Sequence, residues 1–187
     1  MAFWIGLAIF ILASIVTERL LPPKYKKFMP IFVICVITFF GLFRYEIGTD
    51  YDWYIVLFDT VKIDDFYPEP TFLLLVEFLH QFHFSYQMLF IAYELPIMLI
   101  LWSSIRYYTK DTEIQILIIA LYYCLQYFFS LNGIRQGLSM VLIFWGYRYC
   151  LERSLWKYLL VVAFAASMHY SAVVAVILYF VPTRVFS

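Results

Sequence analysis

Ile31-Phe32-Val33-Ile34-Cys35-Val36-Ile37-Thr38-Phe39-Phe40-Gly41-Leu42-Phe43 is a run that would be apolar on every side of a helix, and Leu95-Pro96-Ile97-Met98-Leu99-Ile100-Leu101-Trp102 repeats the pattern. Neither shows the strict apolar–polar alternation that a membrane β-barrel strand requires. The whole chain agrees: 65% of its 187 residues are hydrophobic and 14% are charged, with a mean hydropathy of +0.84. Soluble domains carry about 25% charged residues. Such a chain buries its apolar surface in lipid, where only helices or closed barrels satisfy the backbone. The expected fold is therefore all-α, a polytopic transmembrane helical bundle.

Working outward, the apolar blocks fall near 2–17, 28–43, 72–82, 86–105, 113–131, 134–151, 155–168 and 170–182. A span normally needs about 20 residues, so the block at 72–82 is too short to cross alone. Opened by Pro68-Glu69-Pro70, residues 71–82 read as a short re-entrant or interfacial helix, leaving about seven spans. The first block lacks the leading positive charge and cleavage site of a secretory signal, so it reads as a retained span with its N-terminus outside.

Lysines and arginines set the orientation. With residues 18–27 in the cytoplasm, Arg19, Lys24, Lys26, Lys27, Arg106, Lys110, Arg148, Arg153, Lys157 and Arg184 lie inside. Only Arg44, Lys62 and Arg135 lie outside. Residues 155–182 decide one further point. As two short helices joined by a turn at Ser167-Met168-His169-Tyr170-Ser171 they put His169 outside. As one helix of about 42 Å they would bury it mid-membrane. The turn is preferred because it keeps Arg184 with the other cations.

Residues 44–70 form the expected external loop, within one transmembrane domain spanning 1–187. The loop is acidic (Glu46, Asp50, Asp52, Asp59, Asp64, Asp65, Glu69) and interleaved with aromatic rings, among them Tyr45, Tyr51, Trp53, Tyr54, Phe66 and Tyr67. Residues 50–60 suit a short interfacial helix. Most of these rings are explained as an anchor belt at headgroup level; aromatic faces also stack on sugars.

Three clusters can carry chemistry. In Arg44-Tyr45-Glu46-Ile47-Gly48-Thr49-Asp50-Tyr51-Asp52, Gly48 permits a tight turn that would return Arg44 towards Asp50 or Asp52. A snorkelling Arg44 is the plain alternative. In Asn132-Gly133-Ile134-Arg135-Gln136, Asn132 or Gly133 can cap the following helix. Arg135 in its first turn opposes the helix dipole unless an anion compensates it. A diphosphate suits such a site because guanidinium grips phosphate oxygens in pairs, while a salt bridge to Asp50 or Asp52 is the rival explanation. His169 is either a hydrogen-bonded core residue or a group that moves protons near neutral pH. Glu77, His80, His83 and Glu94 are weaker candidates. Glu94 sits within a span and needs a partner, and Glu77 with His80 offers only two ligands to a metal.

Zero formal net charge and no basic stripe give no sign of a nucleic-acid partner. Cys35, Cys124 and Cys150 lie at unrelated spacings and read as ordinary buried thiols. No Gly-rich phosphate loop, nucleophile elbow or zinc-ligand set is present, so no metal or cofactor is expected.

At these three clusters the chain resembles the EpsG family of membrane proteins, relatives of the Wzy-type bacterial polysaccharide polymerases. Arg44 to Tyr51, continuing to Tyr54 and Phe58, is similar to the family's R-x(3)-G-x-D-Y-x(2)-Y stretch. Asn132 to Gln136, followed by Leu138-Ser139, resembles its I-R-Q segment, and Ala166 to Ala172 its H-x-S segment. The likeness runs from Ile31 to Pro182. It implies a multi-pass enzyme of the bacterial inner membrane, with its site at the outer face, joining undecaprenyl-diphosphate-linked oligosaccharides into exopolysaccharide, capsule or O antigen. It also implies that the chain is the N-terminal part of a longer polymerase, with polysaccharide export or chain-length proteins as partners.

The resulting expectation is a metal-independent glycosyltransferase. Arg135, His169 and Asp50 form its catalytic set, with Asp52 as a further proton acceptor; Arg44, Asp52, Tyr51, Tyr54, Asn132 and Gln136 hold substrate. Two rivals use the same residues differently. A carrier would bind lipid-linked glycan without making bonds, and a truncated remnant would be inactive.

Overall fold

The structure is a computed structural model, and it describes residues 2–62 and 69–181. Asp64, Asp65, Phe66 and Tyr67 of the acidic loop, Pro68 and Arg184 lie outside the described residues. Among the described residues every regular element is helical.

Helix α1 (Ala2–Leu20) ends just before Pro22-Pro23, where the backbone cannot continue a helix. A single turn, α2 (Pro23–Lys26), leads into α3 (Phe28–Leu42). Helix α4 (Tyr51–Thr60) occupies the acidic connection after α3, where the sequence suits an interfacial helix. Helix α5 (Pro70–Gln81) begins with proline at a position where its missing N–H costs nothing. The long α6 (Tyr86–Tyr108) contains Pro96 in its interior. Asp111 caps α7 (Thr112–Tyr122) by accepting the Ile114 amide at 3.1 Å. A π-helical turn (Tyr123–Tyr127) and α8 (Phe128–Asn132) continue it, and α9 (Ile134–Leu151), α10 (Leu155–Met168) and a 3₁₀ helix (Tyr170–Phe180) complete the chain.

Helix α6 is the centre, flanked by α3 and α9. Helix α7 packs on α1 and α3, while α10 joins α9 to the 3₁₀ helix. Between apolar helices in lipid, contact comes from close packing more than from hydrophobic gain. Large side chains such as Leu12, Phe32, Leu125 and Leu160 accordingly face outwards. Cys35 and Cys124 lie on this outer surface; only Cys150 is buried, which corrects the expectation of three buried thiols. Cysteine is small and apolar enough for either place.

Among the described residues four helices are long and apolar enough to cross a membrane: Phe3–Leu20, Pro23–Leu42, Tyr86–Tyr108 and Thr112–Asn132. The expected total of about seven counts α9, α10 and the 3₁₀ helix as well. Helix α9 is interrupted in apolarity by Arg135, Gln136 and Arg148. The 14 residues of α10 and the 11 of the 3₁₀ helix each reach about 21–22 Å, short of a 30 Å core.

The chain breaks at His169, whose backbone is extended, so residues 155–180 form a hairpin and not one long helix. The Tyr158 hydroxyl donates to the Ala175 carbonyl at 2.7 Å, and Arg153 and Tyr179 bond across its open end. His169 therefore lies at one end of the bundle, with Arg44 and Arg135. Arg19, Lys26, Arg106, Lys110, Arg148 and Arg153 lie at the other.

Candidate functional site

Two junctions build the Arg135 end. In the first, the segment after α3 docks on the α8–α9 connection. Gly48 adopts φ +100, and a Cβ there would stand 3.0 Å from Asn132 Oδ1. That oxygen accepts the Asp50 amide and the Thr49 hydroxyl, both at 3.0 Å. Asn132 is thus committed to holding the loop and does not cap α9; Gly133 takes the cap position without a side-chain bond.

Arg44 turns inwards. It is buried, donates to the Leu131 carbonyl and lies over the Phe90 ring at 4.3 Å. Burial lowers its pKa from the ordinary guanidinium value, and Glu94 acts against that shift; an arginine remains protonated regardless. The expected return of Arg44 to Asp50 or Asp52 is not what forms. Gly48 turns the chain towards Asn132 instead, leaving Asp52 exposed and Asp50 half-buried. Beneath Arg44, Glu94 is buried in α6 with no hydrogen-bond partner among the described residues. Its Oε1 lies 2.3 Å from where a Cβ on Gly41 would stand, so α3 admits the carboxylate only because Gly41 has no side chain.

The second junction gathers α4, α5, α9 and the α10 turn around Glu69. Arg135 pairs with Glu69 Oε2, and His169 Nδ1 lies 2.5 Å from Glu69 Oε1. Glu69 is 2% exposed. Next to it, the Thr71 hydroxyl donates to the Ser167 carbonyl, tying the start of α5 to the end of α10. The Arg135 guanidinium also faces the rings of Phe72 and Tyr54, at 5.0 and 5.6 Å. The anion that offsets the unfavourable first-turn arginine is therefore Glu69, not Asp50 or Asp52. The reason is reach: Pro70 starts α5 beside α9, while the Asp50 amide is held on Asn132 and Asp52 faces outwards. The loop's acidity pointed to some carboxylate; nothing in the sequence singled out Glu69.

Tyr51 and Tyr54, the tyrosines that the sequence offers for holding substrate, are both buried. Tyr51 stacks on Phe90 with ring centres 4.9 Å apart, and Tyr54 packs towards Phe72. Helix α4 is amphipathic and turns this face, with Leu57 and Phe58, into the bundle. Trp53 and Tyr45 remain exposed. Gln136 is half-buried in the first turn of α9. His80 packs edge-on against Phe58 at 4.5 Å, and Glu77 and His83 face outwards. No three His, Cys, Asp or Glu side chains gather as a metal site among the described residues.

The Glu69 junction has a definite chemical capacity. A carboxylate that accepts Nδ1–H fixes the imidazole tautomer and leaves Nε2 with its lone pair. Nε2 makes no hydrogen bond among the described residues. An imidazolium formed there would face a carboxylate 2.5 Å away. Arg135 adds a cation on the carboxylate's other oxygen. An apolar groove begins beside this junction, lined by Thr71, Leu75, Tyr93, Pro96, Leu138 and Met168.

No curated protein and no solved structure matches the chain. A protein-family model does, over residues 27–187, which include α3, α4 and both junctions. On that match the chain is a member of the EpsG family.

Proposed function

We propose that this protein takes part in bacterial surface-polysaccharide assembly as a glycosyltransferase joining undecaprenyl-diphosphate-linked repeat units, with its site at the extracytoplasmic end of the bundle. The single observation that carries this reading is the Arg135–Glu69–His169 arrangement, in a chain of the EpsG family. His169 Nε2 accepts the proton of an attacking sugar hydroxyl, and its oxygen bonds to the anomeric carbon of the growing chain. The anomeric C–O bond to the diphosphate breaks, and the electron pair leaves on undecaprenyl diphosphate. Glu69 stabilises the imidazolium, and Arg135 stands where negative charge grows on the leaving group. Of the proton acceptors Asp50, Asp52 and His169, only the imidazole is held by a buried carboxylate. The apolar groove beside Thr71 and Met168 offers a path for an isoprenoid tail. Tyr170 is exposed with its ring 5.3 Å from that of His169, and Trp53 and Tyr45 are exposed on the connection after α3.

The test is Arg135→Ala and His169→Gln in a strain that depends on this protein for polymer. Both should abolish long-chain glycan while protein levels hold, and normal chain lengths would refute the reading. Purified protein given a defined lipid-linked donor separates enzyme from carrier, since only the enzyme lengthens the glycan.

A further inference from the structure

The opposite end of the bundle carries a cleft that the proposed chemistry does not use. Where α6 and α9 end, it is lined by Trp102, Ser103, Arg106, Tyr107, Lys110 and Arg148. Three cations converge there, and none has a carboxylate within salt-bridge distance among the described residues. A carboxylate does bond one lining residue: Glu152 accepts the Tyr107 hydroxyl at 3.2 Å.

Arg148 is the informative member. Its Nε donates to the Trp145 carbonyl at 2.9 Å, and its guanidinium lies 3.7 Å from the Trp145 ring centre and 5.0 Å from that of Tyr107. Its Nη2 is buried and lacks a hydrogen-bond partner. Cations in the last turns of helices are favoured by the dipole, which accounts for the positions of Arg106 and Arg148. It does not account for three cations lining one cleft, whose mutual repulsion an anion placed between them would relieve.

The cleft is also continuous with an apolar groove. Both are lined by Leu99 and Ser103, and the groove runs on between α6, α9 and α10 past Leu142, Leu160 and Phe164. A polar mouth with cations and aromatic rings, opening onto an apolar channel along the bundle surface, has the shape of a lipid and not of a free ion. Basic pockets between spanning helices take anionic headgroups in this way, and the neighbouring tryptophans and tyrosines suit the headgroup level.

We infer that this cleft binds the phosphate of an anionic phospholipid, with Arg148 and Arg106 on the phosphate oxygens, Lys110 at its edge and an acyl chain in the groove. This site is independent of the glycan chemistry at the other end.

Delipidated protein in detergent is mixed with phosphatidylglycerol or phosphatidylcholine of the same acyl composition, and lipid retained after gel filtration is measured by mass spectrometry. The unmodified protein should prefer phosphatidylglycerol. Arg106→Gln/Lys110→Gln, at two exposed positions, should lower that preference on the order of tenfold. Lys24→Gln/Lys27→Gln removes the same charge from exposed positions at the same end and should leave it within about twofold. Equal losses in the two variants, or no preference in the unmodified protein, would overturn the site. Displacement of bound phosphatidylglycerol by excess inorganic phosphate would show a free-anion site and overturn the lipid assignment.

Discussion

At one end of the bundle Arg135 and Glu69 pair with 15% and 3% of their side chains exposed; at the other, Arg19 and Glu113 pair with 64% and 36% exposed. The first pair has a third member, His169, and is roofed by the rings of Phe72 and Tyr54. The second stands in the open, where solvent and salt weaken it. Glu18 is the exception at that end: it is buried, accepts the Thr112 hydroxyl at 2.6 Å and lies 3.4 Å from Lys26. The contrast teaches where charge is worth most. A buried carboxylate holding two cationic or ionisable partners makes each member depend on the others, whereas exposed cations sort the ends of the bundle without organising chemistry.

The sharpest way to break this contrast is Glu69→Ala. It removes the buried carboxylate that Arg135 and His169 share and should cost about 3–5 kcal/mol, read by denaturant unfolding in detergent. Glu69→Gln, which keeps the shape and an acceptor, should cost less but still abolish polymer formation. Should Glu69→Ala unfold no more readily than Glu113→Ala, the two ends do not differ as described.

Arg44→Ala comes next. It removes a buried charge-assisted bond to Leu131 and leaves Glu94 without its compensating cation, an expected loss of about 2–3 kcal/mol. Arg44→Lys should recover only part of that, because a point charge does not stack on Phe90 as a planar guanidinium does.

Gly48→Ala should cost about 1–2 kcal/mol, since its left-handed backbone disfavours a Cβ and the new atom would press on Asn132. Limited proteolysis of the loop after α3 should show it loosened. The smallest effect belongs to Arg19 and Glu113. A double-mutant cycle should find a weak coupling that vanishes at 1 M salt, where screening acts over about 3 Å; the same salt should leave the Arg135–Glu69 coupling largely in place.

Several of these features are legible in the sequence because they are local. Apolar runs on every face imply helices in lipid, Pro70 marks where α5 can begin, and the polar break at His169 marks the hairpin. Gly48 signals a tight turn, and the structure uses it for one. The partner choices are not local. Arg135 and Glu69 are 66 residues apart, and His169 and Glu69 are 100 apart. Seven acidic residues between positions 46 and 69 offered themselves, with nothing in composition to rank them. The tyrosines of α4 were legible as interfacial but not as buried, because the amphipathic face of a ten-residue helix turns either to lipid headgroups or to protein.

By itself the sequence determined that this chain is a helical membrane protein, where its helices break, and that its cations divide unequally between two ends. Those follow from the cost of exposing backbone and charge to lipid, which each segment meets alone. Only the tertiary structure decided that Glu69 holds Arg135 and His169 together, that Asn132 holds the loop, and that Arg44 turns inwards above Glu94. Contacts of that kind depend on which helix faces meet, and packing between uniformly apolar helices is settled by shape at points such as Gly41, which no periodicity along the chain records.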